Sequence, residues 1–202
     1  MSGNLFIVTA PSGAGKTTLV RLLLENDRRV GVSISHTTRS PRPGEKDGRE
    51  YHFIDLAAFE EKIRQNDFLE WAMVHGNHYG TSKRWIETEM AAERDVVLEI
   101  DWQGARQVRR VFPQATGVFI LPPSMAALES RLSGRATDPP EAVRRRIAVA
   151  RDEMRHVDEF DYVIINDSLQ RAAGDLQAIV ETARLRRANQ RQRHASLFAS
   201  LL

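Results

Sequence analysis

The sequence predicts an α/β fold in which a parallel sheet is covered on both faces by helices, and three observations carry that prediction. Short apolar runs at 5–9, 96–101, 117–121 and 162–166 alternate with segments of helical spacing, the pattern of a sheet buried on both sides. The first run passes through Ala10-Pro11-Ser12-Gly13-Ala14-Gly15-Lys16-Thr17-Thr18 into Leu19-Val20-Arg21-Leu22-Leu23-Leu24, so a strand turns through glycines into a helix. Residues 32 to 88 break the alternation with short runs around turn signals, which predicts a small insertion of antiparallel character.

The turn after the first strand is a phosphate-binding loop. Glycines let successive backbone N–H groups converge on phosphate oxygens, and the helix N-terminus adds positive dipole. Lys16 can reach β- and γ-phosphates, and Thr17 offers a hydroxyl to Mg²⁺. Ala10 stands where the usual pattern begins with Gly; the glycines that approach phosphate are the later pair, Gly13 and Gly15.

Further along, 30–35 alternates apolar with small residues and reads as a strand, and 37–48 is a turn-rich, charged loop. Residues 51–54 resume a strand, 56–63 read as a short helix, and 68–79 as strand, Gly-Asn turn and strand. The parallel pattern returns with 96–101, a helix from Gln103, the strand 117–121, a helix from Ser124 and the strand 162–166. Val143, Ile147, Ala150, Met154 and Val157 recur at helical spacing after Pro139-Pro140, a stripe for core packing. A closing helix over 169–188 completes the chain.

Composition narrows the function classes. A chain of 202 residues, 42% apolar, buries a full core as one domain. Its apolar runs are too short to span a membrane, and Met1-Ser2-Gly3-Asn4 lacks the regions of a signal peptide, so a cytoplasmic protein is expected. With no cysteine there is neither a disulfide nor a thiolate nucleophile or metal ligand. The formal charge is only +2, and the arginine clusters lack interleaved aromatics or a binding module, so no nucleic-acid partner is expected.

The chain resembles guanylate kinases of the bacterial type, within the P-loop nucleoside monophosphate kinases. Four stretches carry the resemblance: residues 10–18; Ser35-His36-Thr37-Thr38-Arg39-Ser40-Pro41-Arg42-Pro43-Gly44-Glu45; Glu70-Trp71 with Gly76-Asn77-His78-Tyr79-Gly80-Thr81; and Glu99-Ile100-Asp101-Trp102-Gln103-Gly104. The resemblance implies transfer of the γ-phosphoryl group of MgATP to GMP within one domain. Its core would comprise 1–31, 95–123 and 160–202, with a GMP-binding insertion at 32–90 and an arginine-bearing lid with flanking helices at 124–159. ATP would lie on 10–18 with Asn166 and Asp167 on the adenine side.

Four residues are assigned by the resemblance to the GMP phosphate: Arg39, Arg42, Tyr51 and Tyr79. Their chemistry agrees, because two guanidinium forks and two phenols suit one dianionic phosphate. Glu70, between apolar neighbours, needs donors, and guanine N1–H with N2–H₂ matches its two oxygens where adenine offers an acceptor at N1. By similarity Ser35 and Thr81 contact guanine O6 and Asp101 helps hold the base. Glu99 stands at a strand end where P-loop enzymes keep a carboxylate for Mg²⁺, reached directly or through water. Strand alternation would send Glu99 and Asp101 to the same side.

The family's lid arginines match Arg135 and Arg146, with Arg131 as a third candidate. Gly134-Arg135-Ala136 replaces the common Gly-Arg-Gly and is followed by Pro139-Pro140, which predicts a stiffer hinge. The basic C-terminal run is left open between docking on the body and on a second subunit, so monomer and homo-oligomer stand equal. Two rival functions are a sugar-phosphate kinase, which has little use for the guanine pocket, and a peptide-binding scaffold, which would have lost Gly15, Lys16 and Thr17.

Overall fold

The computed structural model describes residues 3–74, 76–133 and 140–202. Numbering strands along the chain, β1 (Leu5–Thr9) lies at the centre of a five-stranded sheet between β7 (Asp95–Glu99) and β8 (Thr116–Leu121). The edges are β2 (Val30–Val32) and β9 (Tyr162–Ile165), and every pairing is parallel. All strand C-termini therefore open on one edge of the sheet, where ligand crevices form in such folds.

Alternation in β1 distributes the core. Phe6 and Val8 face α1 (Lys16–Asn26) and α7 (Leu169–Arg184), joining Leu19, Val20, Leu23, Leu176 and Val180 in one buried cluster. Leu5 and Ile7 face the other way, toward Ile86 and Met90 of α3 (Lys83–Ala91) and Ala105 and Val108 of α4 (Trp102–Val111). Burying side chains of this size on both faces stabilises the sheet by about 1.5–3 kcal/mol each, which keeps the loops at its edge on a rigid base.

A second, four-stranded sheet runs in the order β4 (His52–Phe53), β3 (His36–Thr37), β6 (Asn77–Ser82), β5 (Phe68–Val74). It is mixed, since β3 pairs parallel with β4 and antiparallel with β6. Under it lies α2 (Leu56–Arg64), capped by Asp55, whose side chain accepts the Ala58 N–H at 2.7 Å. Phe59 of α2 packs on Phe68, ring centroids 4.6 Å apart, and Gly80 leaves them room: a Cβ there would meet both rings at 3.0 Å. Gln107 of α4 bonds both backbone groups of Trp71 in β5, tying the small sheet to the core.

Several elements differ from expectation. The strand expected over 30–35 is divided: Ser33 N–H still reaches Val97 O, after which the chain leaves the parallel sheet and enters the small one at His36. Asp101 is outside β7, because its side chain accepts the Gly104 N–H at 2.8 Å and caps α4. Strand alternation therefore does not relate it to Glu99. The closing helix stops at Arg184, whose guanidinium turns inward to Asp27 at 2.5 Å and Asp95 at 2.6 Å. Past an extended Arg186 the chain resumes as α8 (Arg187–Arg193) and α9 (Ala195–Leu201). Asn189 of α8 bonds Asn4 Oδ1 at 2.6 Å, so that segment docks on the body.

The stripe expected to pack does so at four of its five positions; Val157 lies past the helix, in a 3-10 turn over Val157–Glu159, and is not part of the cluster. In α6 (Pro140–Met154), Ala150 is buried against Leu128 and Leu132 of α5 (Met125–Ser133), with Val143, Ile147 and Met154 around them. Among the described residues no helix is long and apolar enough to cross a membrane.

Candidate active site

The phosphate loop owes its shape to two glycines. Gly13 and Gly15 have φ of 89° and 97°, left-handed values that side chains disfavour. A Cβ on Gly15 would stand 2.4 Å from Asn166 Nδ2, and one on Gly13 2.9 Å from Leu132 Cδ2. Gly15 caps α1, whose first turn holds no acidic residue, so the N–H groups and dipole there stay available to an anion. Lys16 opens that turn, and the next residue, Thr17, donates its hydroxyl to Glu99 Oε2 at 3.0 Å. Thr17 and Glu99 are thus brought together from the first turn of α1 and the end of β7.

Asn166 and Asp167 follow β9. Asn166 is buried, and its amide donates to Ala14 O at 2.7 Å, bracing the phosphate loop from behind. Asp167 is exposed, accepts the Ser168 N–H at 2.6 Å and pairs with Arg171 at 3.2 Å. Arg131 reaches the same corner, donating to Asn166 O at 2.9 Å. From α6, Arg146 donates to Ser12 Oγ at 2.9 Å, and the Ser12 N–H donates to Glu153 Oε2 at 3.3 Å. Arg135, Ala136 and Pro139 lie outside the described residues.

Across from the loop, Glu70 is aimed by a β-bulge. The β5–β6 register shifts between Phe68 and Glu70, so Phe68, Leu69 and Glu70 are buried in succession and Glu70 comes opposite Thr81. The Thr81 hydroxyl donates to Glu70 Oε1 and lies 3.4 Å from Ser35 Oγ. With Glu70 only 4% exposed, burial pushes its pKa up to about 7; the Thr81 hydrogen bond and Lys16 oppose the shift, and Asp101 adds to it. Gly104 matters here, since a Cβ would stand 2.6 Å from Glu70 Oε2.

Beside this carboxylate the structure gathers Arg39, Tyr51 and Tyr79. Arg39 donates to Glu45 Oε1 at 2.9 Å and to Ser40 O at 2.8 Å, and its guanidinium lies 5.4 Å from the centre of the Tyr51 ring. The Tyr51 and Tyr79 rings meet edge to face at 5.8 Å, and burial raises the Tyr51 pKa. Arg42 is more peripheral: it is exposed and joins through its backbone N–H, 2.7 Å from Glu45 Oε2.

Sequence reasoning missed three contributors. Glu45 orients Arg39, Gly104 makes space for Glu70, and Glu153 touches the phosphate loop from α6. Glu45 and Gly104 stand within the stretches that carry the resemblance but had no role assigned, and Glu153 had no signal, because its partner Ser12 is distant in the chain.

A glycine-shaped loop that opens a helix at the edge of a parallel sheet, with a buried carboxylate, an arginine and two phenols on the small sheet, suits a small ligand that carries phosphate. Comparison with known proteins is more particular. The guanylate kinase family model matches residues 2–183, and the chain belongs to the guanylate kinase family. Relatives named guanylate kinase include one from Dechloromonas aromatica, 62% identical with both chains covered in full. Another, from Aromatoleum aromaticum, is 61% identical over 98% of this chain and 97% of its own. The crystal structure of guanylate kinase from Anaplasma phagocytophilum superposes with a TM-score of 0.77 at 28% identity, covering 95% of each chain. The chain is accordingly a phosphotransferase acting on nucleotides.

Proposed function

We propose that the residues assembled at the C-terminal edge of the parallel sheet, with the small sheet opposite, divide the work of passing the γ-phosphoryl group of ATP to the phosphate of GMP. ADP and GDP are the products. The observation that carries the acceptor assignment is Glu70, a buried carboxylate with Thr81 as its hydrogen-bond donor among the described residues and the pKa that goes with that shortage. Guanine N1–H and N2–H₂ supply donors to a carboxylate, and adenine in the same place would leave it unpaired. Ser35 offers a hydroxyl to O6, Thr81 can turn its own to O6 once guanine replaces it as the donor to Glu70, and Asp101, at the start of α4, completes the base side.

Arg39, Arg42, Tyr51 and Tyr79 hold the GMP phosphate in line with the donor. Residues 10–18 cradle the ATP phosphates, with Lys16 on the β- and γ-oxygens. Asn166 and Asp167 border the adenine side, with Asn166 acting through the loop it braces. Lys16, Arg146 and Arg135 neutralise charge that spreads over the equatorial oxygens in the transition state, and no covalent enzyme intermediate is needed. Thr17 and Glu99 form an all-oxygen pair that would hold Mg²⁺, Glu99 directly or through water. Bound there with ATP, Mg²⁺ would supply charge neutralisation at the phosphates.

In this division, 1–31, 95–123 and 160–202 are the core, 32–90 the acceptor-binding insertion and 124–159 the lid with its flanking helices, in a cytoplasmic enzyme. The test is a parallel assay of GMP, AMP, CMP and UMP with MgATP. GMP is expected to lead AMP in kcat/KM by roughly 10⁴-fold, and equal performance of AMP would overturn the role given to Glu70.

A further inference from the structure

Two side chains of α6 converge on one residue of the phosphate loop. Arg146 and Glu153 are seven positions apart, about two turns, and so project from the same side of the helix. Arg146 Nη2 donates to the Ser12 hydroxyl at 2.9 Å, while Glu153 Oε2 accepts the Ser12 N–H at 3.3 Å. Ser12 is therefore gripped by its side chain and by its backbone at once.

A carboxylate in this place is costly. Burial raises the Glu153 pKa, Asp101 and Asp152 push it the same way, and only the Ser12 N–H and Lys16 work against the rise. An apolar side chain would fill the same volume without that desolvation. What the carboxylate adds is direction, because it fixes which way the Ser12 peptide faces and how far along the loop α6 sits. Arg146 leaves the helix two turns earlier, so its reach toward the phosphate end is set by the same registration.

We propose that Glu153 is a positioning residue for phosphoryl transfer, registering α6 on the phosphate loop through Ser12 so that Arg146 is presented to the transferring phosphate. This rests on the assignment of Arg146 to charge stabilisation given above. Glu153 itself touches no substrate in this scheme; it acts through Ser12 and Arg146.

The test is a double-mutant cycle on the full chain, reading kcat and the KM for each nucleotide for Arg146→Ala, Glu153→Ala and the pair. Glu153→Ala is expected to lower kcat about tenfold or more with the GMP KM within about twofold of the parent. The pair is expected to be no slower than Arg146→Ala alone, since the two residues act as a unit. Glu153→Gln, which keeps an acceptor oxygen for the Ser12 N–H, should recover most of the lost kcat. Glu153→Asp keeps the charge but withdraws it by one methylene, and should lose kcat as Ala does; it carries the test if the Ala variant does not fold. Parental kcat in Glu153→Ala or Glu153→Asp overturns the proposal, as do losses that multiply with that of Arg146→Ala. Parental kcat in Arg146→Ala instead overturns the role of Arg146, and the proposal with it.

Discussion

The two ends of the site are built by opposite means. At the donor end, one continuous stretch of chain, residues 10–18, takes its shape from its own glycines and from the helix it begins. At the end proposed for the acceptor, Glu70, Tyr79 and Thr81 come from β5 and β6, Ser35, Arg39 and Tyr51 from the chain flanking β3 and β4, and Asp101 from a helix cap. They meet only because a mixed sheet folds over α2 and is pinned to α4 by Gln107. The end proposed for the donor presents backbone N–H groups, which suit any phosphate; the end proposed for the acceptor presents side chains, which can select a base. Generality here comes from backbone and selectivity from tertiary placement.

The largest effect that would sharpen this contrast is at the donor end. Lys16→Met is expected to lower kcat about a thousandfold while leaving the melting temperature and GMP binding close to the parent, as followed by steady-state assay, thermal melt and calorimetry. Near-parental turnover would break the donor half of the comparison.

Next in size is Glu70→Gln, expected to raise the GMP KM about a hundredfold with the ATP KM within about twofold. The pH dependence follows from a pKa pushed up to about 7 in the unliganded protein. Guanine binding needs the ionised carboxylate, so GMP affinity should fall below pH 7. The parent should lose more affinity than Glu70→Gln on going from pH 8 to pH 5.5, and that variant isolates the carboxylate from the phosphate's own titration near pH 6. Stability runs the other way. A carboxylate whose folded pKa is raised contributes fully below its unfolded value and loses that contribution as pH rises through 7. Glu70→Gln should therefore be more stable than the unliganded parent at pH 8, on the order of 3 kcal/mol, and no more stable at pH 4. Denaturant melts at the two pH values measure this.

The smallest expected effect tests whether the donor end is as self-contained as its sequence suggests. Asn166→Ala removes the brace on Ala14 O and should cost about 1–2 kcal/mol of stability, with the ATP KM rising more than the GMP KM. Equal shifts in both KM values would place Asn166 outside the donor end.

Much of this was legible in the chain. The strand, loop and helix at 5–26 follow from glycine chemistry and apolar runs, and the parallel strands from their length and alternation with helices. Glu70 was legible as a carboxylate among apolar neighbours, but the bulge that turns it toward Thr81 was not, because an extra residue in one strand leaves the local pattern unchanged. Asp101 was misplaced for a related reason: an acidic residue after an apolar run reads equally as strand end or helix cap, and only its bond to Gly104 decides. The break after Arg184 was hidden because its cause, Asp27 and Asp95, lies far away in sequence.

The sequence by itself determined the fold class, the phosphate loop and the kinds of chemistry available, since each depends on local backbone preference or on the period of burial. Tertiary structure decided which of those groups meet: Thr17 with Glu99, Asn166 with the loop it braces, Ser12 with both Arg146 and Glu153. Hydrogen bonds between residues so distant in sequence leave no periodic trace, because they depend on where two rigid elements dock rather than on the preferences of either.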